Sequence, residues 1–186
     1  MNTGHELLPG ALVLSIEVLE DYRGSFVETY QANRLRMEGI DVVFQQDNRS
    51  YSHKHVLRGL HYQINKPQGH LVTVLRGSIF DVGLDLRKGS PTFGTCMTKV
   101  LSGDRPCQLW LPAGIAHGFC VTSDGADILY KCTDMYTPGD EGGVAWNDPK
   151  LGIKWPVQNP VISEKDNRLP SLEEIPAIQL PQIEFS

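Results

Sequence analysis

Residues 71–86 read LVTVLRGSIFDVGLDL, and their pattern is the strongest indication of the fold class. Its first five residues are apolar except Thr73, and a turn signal built around Gly77 follows them. From residue 79 onward, apolar side chains alternate with two aspartates, Asp81 and Asp85, and a glycine. Alternation with a period of two is typical of a β-strand, because successive side chains point to opposite faces. The stretch therefore predicts two strands separated by a turn.

Strand patterns of the same kind recur at residues 108–111, 117–121 and 128–132. Turn signals stand about every ten residues, which favours an all-β sandwich or barrel over alternating strands and helices. Apolar residues in short, evenly spaced runs of this kind bury one continuous core between two sheets. The fold class that we predict is therefore all-β.

Helical decorations are predicted only in the N-terminal third and near the C-terminus. Residues 31–38 have a helical pattern that Gly39 stops, and residues 171–175 form one capped turn. No repeat or linker composition divides the chain, so we predict a single domain over residues 1–186. Its core is expected at about residues 10–160, and the proline-containing segment from about 161 to 186 is expected to wrap the surface.

Composition limits the function. The chain has 186 residues, with 17 Lys and Arg against 22 Asp and Glu and a formal net charge of −5. Nucleic-acid binding that depends on phosphate neutralisation is not expected from such a chain. No apolar run reaches the length of a spanning helix, and no basic residue precedes the apolar N-terminal patch, so we expect neither a membrane span nor a signal peptide. Four cysteines without a CxxC pair indicate reduced thiols in a cytoplasmic protein.

Three of the six histidines stand beside glycines in apolar surroundings: His61, His70 and His117. Glycine lets another group approach the backbone closely. A single histidine in such a place is more often a hydrogen-bonded core residue than a catalyst, but three together indicate a site. The remaining histidines, His5, His53 and His55, are expected to be solvated loop residues.

The spacing around these histidines resembles that of cupins. Residues 112–117 have the pattern P-x-G-x-x-H of the second cupin motif, and His70 with Gly77 resembles the end of the first. His61 and Gln63 then stand in place of the H-x-H pair. The resemblance implies a cupin-type jelly-roll barrel with the active site in its interior.

A more specific resemblance covers nearly the whole chain. Nine blocks in order are similar to the signatures of the dTDP-4-dehydrorhamnose 3,5-epimerase family. They are DxRGxFxE at 21–28, QDNxSxS at 46–52, VLRGLHYQ at 56–63, IFDV at 79–82, SPTFG at 90–94, LWLPxGxAHGF at 109–119, YKxTxxY at 130–136, WNDP at 146–149 and SEKD at 163–166.

The resemblance implies an isomerase that inverts C3, C5 or both carbons of a nucleotide-linked 4-keto-6-deoxyhexose. Inversion beside a ketone needs a base for the α-proton, a stabiliser for the enolate and an acid on the opposite face. By resemblance, His61 is the base, Asp166 orients it, and Tyr130 is the acid. The family uses no cofactor, so none is expected and no residue is assigned to a metal.

The resemblance also assigns substrate-binding residues. Arg23 and Arg58 are expected to hold the pyrophosphate, because guanidinium groups match phosphate oxygens. Tyr136, six residues after Tyr130, is expected on the same side of one extended strand, lining the same pocket. Base-binding residues of the family come partly from a partner subunit, which implies a homodimer. The remaining expected contacts are Phe26, Glu28, Gln46, Asn48, His117, Glu141 and Lys165.

One residue departs from the family pattern: His70 stands where the family has a lysine that meets the C4 oxygen of the sugar. A histidine can still donate one hydrogen bond, in the correct tautomer or when protonated. The departure leaves open an alternative function, single-site epimerisation at C3 or C5 of a related sugar. A metal-dependent cupin that uses His61, His70 and His117 also stays open, and so does a module that binds a sugar nucleotide without turnover.

Overall fold

The computed structural model describes residues 8–185, so His5 lies outside the described residues. Two five-stranded antiparallel sheets face each other as a jelly-roll barrel, and a two-stranded hairpin stands apart. The prediction of an all-β fold is therefore confirmed. The strands are β1 (Leu12–Ser15), β2 (Val18–Asp21), β3 (Gly24–Val27), β4 (Gln46–His53), β5 (Leu57–Gln63), β6 (His70–Arg76), β7 (Ser78–Asp85), β8 (Cys96–Ser102), β9 (Cys107–Leu111), β10 (Ile115–Val121), β11 (Gly125–Cys132) and β12 (Glu141–Gly143).

The order of strands differs from the order of the chain. The first sheet runs β1-β9-β6-β11-β4, and the second runs β12-β5-β10-β7-β8. Both strands predicted in residues 71–86 are present, but β6 and β7 belong to different sheets. Gly77 makes the corner between them with φ +79°, where a side chain would collide with the carbonyl of Gly125. A glycine is required at this corner because both the conformation and the space exclude a Cβ atom.

Strand β7 is buried on both faces. The side chains of Phe80, Val82 and Leu84 pack on the outer side of the second sheet against the C-terminal part of the chain. Asp81 and Asp85 on the alternate positions are fully buried as well. Each carboxylate has a partner, His117 for Asp81 and Arg87 for Asp85. The period of two is thus real, but it does not separate a core face from a solvent face.

The helical decorations are as small as expected. Helix α1 (Ala32–Met37) is the α-helix of the N-terminal third, and the predicted turn near the C-terminus is a 3-10 helix, Leu172–Glu174. The segment after residue 160 lies along the barrel. Val161 forms a parallel bridge with Val56, and the hydroxyl of Tyr62 donates to the carbonyl of Gln179 at 2.9 Å.

The solvated histidines and the thiols largely follow expectation. His53 is not a loop residue as predicted, but the last residue of β4, where pairing with Gly125 keeps it in the sheet; its side chain is exposed. His55 is an exposed turn residue. All four cysteines are free. Among the helices of residues 8–185, none is long and apolar enough to cross a membrane.

Candidate active site

A cavity of about 700 Å³ opens between the two sheets. It brings together the predicted residues of β4, β5, β6, β10 and β11 with those of the segments after β11 and after residue 160. From the catalytic and binding sets it contains His61, Asp166, Tyr130, His70, Gln46, Asn48, Arg58, His117, Tyr136, Glu141 and Lys165.

His61 and Asp166 form a hydrogen-bonded pair in this cavity, although 105 residues separate them. Strand β5 carries His61, and Asp166 begins a 3-10 helix that packs beside β5. Nε2 of His61 lies 2.9 Å from Oδ1 of Asp166, and the main-chain N–H of Gly59 donates to Oδ2 at 3.2 Å. The carboxylate is thus held on both oxygens, and Nδ1 of His61 is the ring nitrogen that Asp166 does not engage.

Asp166 is ionised in this environment. Burial by itself raises the pKa of its carboxyl, but the hydrogen bond with His61, the charge that this ring carries when it is protonated, and the N–H of Gly59 outweigh burial. The pKa of Asp166 is therefore lowered from its ordinary value of 3.8. A charged carboxylate stabilises the proton on Nε2 of His61 and leaves Nδ1 as a lone-pair nitrogen.

Tyr130 lies on the other sheet, in β11. Its half-buried ring stands edge-on to the ring of His70, with the ring centres 6.0 Å apart. Burial, reinforced by the nearby Cys132 thiol, raises the pKa of Tyr130 above its ordinary value of 10. The phenol is therefore protonated at neutral pH and faces a cavity whose opposite sheet carries His61.

His70 begins β6 between the rings of Tyr130 and His117, the latter with its ring centre 5.7 Å away. Burial, together with the neighbouring His117, lowers the pKa of His70 to about 3. The imidazole is therefore neutral near pH 7 and offers one N–H donor and one acceptor. The lysine expected by resemblance would bring a positive charge, and His70 does not.

A second histidine–aspartate pair lies deeper in the barrel. Nε2 of His117 is 2.9 Å from Oδ2 of the fully buried Asp81. From the sequence, Asp81 is only a polar position on an alternating strand. The register of β7 against β10 identifies it. Gly83 lies opposite His117, and Asp81 is two residues from Gly83 on the same face of β7.

Three polar residues form the rim of the cavity. The hydroxyl of Tyr136 donates to Oε1 of Glu141 at 2.9 Å, and Lys165 forms an ion pair with the same carboxylate. Tyr136 lines the cavity as expected, but the prediction that it shares a strand with Tyr130 is wrong. Strand β11 ends at Cys132, because the chain turns away after Thr133 bonds to the loop before β6.

Strand β4 supplies polar side chains to one wall of the cavity. Nε2 of Gln46 donates to Oδ1 of Asn48 at 2.9 Å, and Oε1 of Gln46 accepts from the main-chain N–H of Tyr136 at 2.8 Å. Arg58 reaches across from β5, and its Nε donates to Oγ of Ser52 at 3.0 Å. The guanidinium is therefore held in place, and its NH₂ groups can bind an anion.

The three predicted residues of the N-terminal strands lie elsewhere. Arg23 and Phe26 belong to the exposed β2–β3 hairpin, and Glu28 follows it directly. The fractional exposure of Phe26 is 67%, and that of the neighbouring Tyr22 is 97%. Within one chain the structure does not bring these side chains to the cavity.

The geometry does not favour a metal site made of the three histidines. Within residues 8–185, no group of three His, Cys, Asp or Glu side chains converges as metal ligands do. Nε2 of His61 and Nε2 of His117 each face a carboxylate of their own.

Known proteins share this fold and this sequence pattern. A family model described as dTDP-4-dehydrorhamnose 3,5-epimerase matches residues 5–174. The epimerase of that name from Methanothermobacter thermautotrophicus is 46% identical over 91% of this chain and 93% of its own length. The one from Neisseria gonorrhoeae is 49% identical over 86% of this chain, which spans about half (49%) of that longer relative.

A solved structure is similar over almost its full length. The dTDP-6-deoxy-D-glucose-3,5-epimerase of Legionella pneumophila Philadelphia 1, in complex with dTDP-4-keto-L-rhamnose, superposes with a TM-score of 0.90. It is 46% identical, and the match covers 95% of this chain and 94% of that one. The jelly-roll fold and this sequence similarity place the chain in the class of carbohydrate epimerases. The chain belongs to the dTDP-4-dehydrorhamnose 3,5-epimerase family, which confirms the resemblance.

Proposed function

We propose that this chain is an isomerase that converts dTDP-4-dehydro-6-deoxyglucose to dTDP-4-dehydrorhamnose by inverting C3 and C5. One observation carries the proposal: the His61–Asp166 pair and Tyr130 stand on facing sheets of a single cavity. A sugar ring between them meets a base on one face and an acid on the other.

The first step is removal of an α-proton. Nδ1 of His61 takes the proton from C3 or C5. The electron pair of the broken C–H bond forms a double bond to C4, and the carbonyl becomes an enolate with its negative charge on the C4 oxygen. Asp166 stabilises the imidazolium that forms, because its charged carboxylate accepts a hydrogen bond from the N–H at Nε2. His70 donates one hydrogen bond to the C4 oxygen as a neutral imidazole.

The second step is protonation from the opposite face. Tyr130 gives its phenolic proton to the same carbon, the C4 carbonyl forms again, and the configuration is inverted. Solvent then takes the proton from His61 and returns one to Tyr130, so no redox partner or cofactor enters the balance. Because solvent reprotonates Tyr130 after each turnover, the proton that reaches the carbon originates from water. In D₂O the carbon therefore takes up deuterium, which can be measured.

The test is proton NMR in D₂O with dTDP-4-keto-6-deoxyglucose, following H3 and H5 separately. We expect both signals to disappear. His61→Asn should slow exchange at both positions by about 10²–10⁴-fold, the contribution of a positioned general base, while dTDP affinity measured by calorimetry stays within twofold. His55→Asn is the matched control, because His55 is exposed outside the cavity and Asn tolerates its left-handed φ of 64°.

Different outcomes of this experiment separate the candidate functions. Loss of one signal alone would identify a single-site epimerase, for which His70 in place of the family lysine is the motivating difference. Full exchange by His61→Asn would contradict the assignment of the base. No exchange at either position in the parent enzyme would point to a different sugar nucleotide or to a binding module.

The proposal includes a homodimer. The nucleotide half of the substrate needs cations and an aromatic surface. The cavity of one chain supplies Arg58 and Lys165, and Lys165 is already paired with Glu141. The exposed hairpin of a second copy supplies a further cation, Arg23, and an aromatic ring, Phe26. Glu28, directly after the hairpin, comes from the same copy. The large exposed fractions of Tyr22 and Phe26 support this, because aromatic side chains are seldom left fully in water.

A further inference from the structure

The loop before β6 is tied tightly to the segment after β11. The main-chain N–H of Gly69 donates to Oγ1 of Thr133 at 2.8 Å, and the N–H of Thr133 donates back to the carbonyl of Gly69 at 3.1 Å. A Cβ atom on Gly69 would come within 2.6 Å of the Trp110 ring. The main chain on both sides of Gly69 is thus fixed, and Gln68 and His70 extend from it into the cavity wall.

The amide of Gln68 has a defined orientation. Its Nε2 lies 2.7 Å from the main-chain carbonyl of Asp134, and a carbonyl oxygen accepts hydrogen bonds but never donates them. The NH₂ group of Gln68 must therefore face Asp134, which turns Oε1 toward His70. A flipped amide would set two acceptors against each other at this distance.

The orientation of Gln68 selects one tautomer of His70. Nε2 of His70 lies 3.4 Å from Oε1 of Gln68, another atom that only accepts. The proton of the neutral ring then belongs on Nε2. Nδ1 is buried and has no hydrogen-bond partner among residues 8–185, which is consistent with a ring nitrogen that carries no proton.

We propose that Gln68 is a positioning residue that holds His70 as the neutral Nε2–H tautomer and so decides which hydrogen-bond donor the ring presents in the cavity. The 3.4 Å contact is longer than an ordinary N–H···O bond of about 2.7–3.2 Å. The contact with Gln68 is therefore weak, so the same N–H can also donate to a better acceptor, and the C4 oxygen of the sugar becomes one as enolate charge develops. This last step rests on the proposed function.

The first test needs no substrate. Long-range ¹H–¹⁵N NMR of the parent protein at neutral pH distinguishes the two tautomers and the imidazolium, with His70→Asn used to assign the signals. We expect a protonated Nε2 and an unprotonated Nδ1. A proton on Nδ1, or an imidazolium, would overturn the proposal whether or not the enzyme epimerises the expected sugar.

The second test removes the carbonyl that selects the tautomer. Gln68→Met should give a mixture of His70 tautomers and lower kcat about tenfold, the effect of one lost hydrogen bond, with KM within twofold. Thr133→Val is the matched control, because it breaks a bond of the same loop without touching Gln68. An unchanged tautomer in Gln68→Met, or equal losses of kcat in both variants, would show that Gln68 only holds the loop. If the tautomers behave as expected and no variant or parent epimerises the sugar, the proposed function fails and the role of Gln68 stands.

Discussion

At the residue scale, Asp166 couples the proposed chemistry to the stability of the fold. Its lowered pKa means that the folded chain stabilises the carboxylate form more than the unfolded chain does. This stabilisation is fully present above the unfolded pKa of about 3.9 and is lost as the pH falls through the lower folded pKa. Asp166→Asn removes it, so the difference in the free energy of unfolding between parent and variant should shrink as the pH falls below about 4, the ordinary pKa of an aspartate.

Urea unfolding at a series of pH values measures that difference. Other buried carboxylates with lowered pKa values, such as Asp85, titrate in both proteins, and their contribution cancels in the subtraction. A difference that stays constant down to about pH 2 would mean that Asp166 is not a charged partner of His61 in the folded chain.

At the scale of one element, the C-terminal segment supplies an outer core for the second sheet. Ile175 is 9% exposed and belongs to the apolar cluster that covers Leu60 and Val82, whereas Ile178, three residues on, is 78% exposed. Ile175→Ala should lower the free energy of unfolding by about 2 kcal/mol, because it removes buried methyl groups and leaves a cavity. Ile178→Ala should change it by less than about 0.5 kcal/mol.

Chemical denaturation compares these two variants directly. Both variants replace an isoleucine by alanine in the same segment, so the burial of the side chain is the difference between them. Equal effects on stability would mean that the segment after residue 160 does not pack on the sheet, and the outer apolar face of β7 would need another cover.

At the scale of the whole molecule, the proposed homodimer predicts that sites are shared between chains. His61→Asn and Arg23→Ala each disable every site of their own homodimer. If Arg23 acts in the partner's site, a mixed dimer contains one site with both substitutions and one site with neither. Mixing the two inactive proteins under conditions of subunit exchange should therefore restore deuterium exchange at H3 and H5.

The control is a mixture of His61→Asn with Arg58→Ala. Both residues line the cavity of the same chain, so the mixed dimer has no intact site and activity should not return. Absence of recovery in the first mixture, with exchange of subunits verified by sedimentation or mass spectrometry, would place Arg23 outside the site of the partner.

From the amino-acid sequence alone, the strands β6, β7, β9, β10 and β11, the family and eleven of the residues in the cavity are predicted. Residues 71–86 predict β6 and β7 because local alternation and a glycine turn act within a few residues. The same local logic places helix α1 and the capped turn near the C-terminus. The pairing of His61 with Asp166 came from family resemblance alone, since no local pattern spans 105 residues.

Only the tertiary structure decided which sheet each strand joins and which side chains meet. Alternation along β7 gives two faces, but only the barrel and the C-terminal segment show that both are buried and that Asp81 belongs to His117. The end of β11 at Cys132, which moves Tyr136 to the rim, depends on the bonds between Gly69 and Thr133. The orientation of the Gln68 amide toward His70 depends on a carbonyl at Asp134 that no spacing predicts. The local sequence is compatible with several strand ends and several side-chain partners. Hydrogen bonds and burial between segments that are distant in the sequence select one of them, and these contacts exist only in the folded chain.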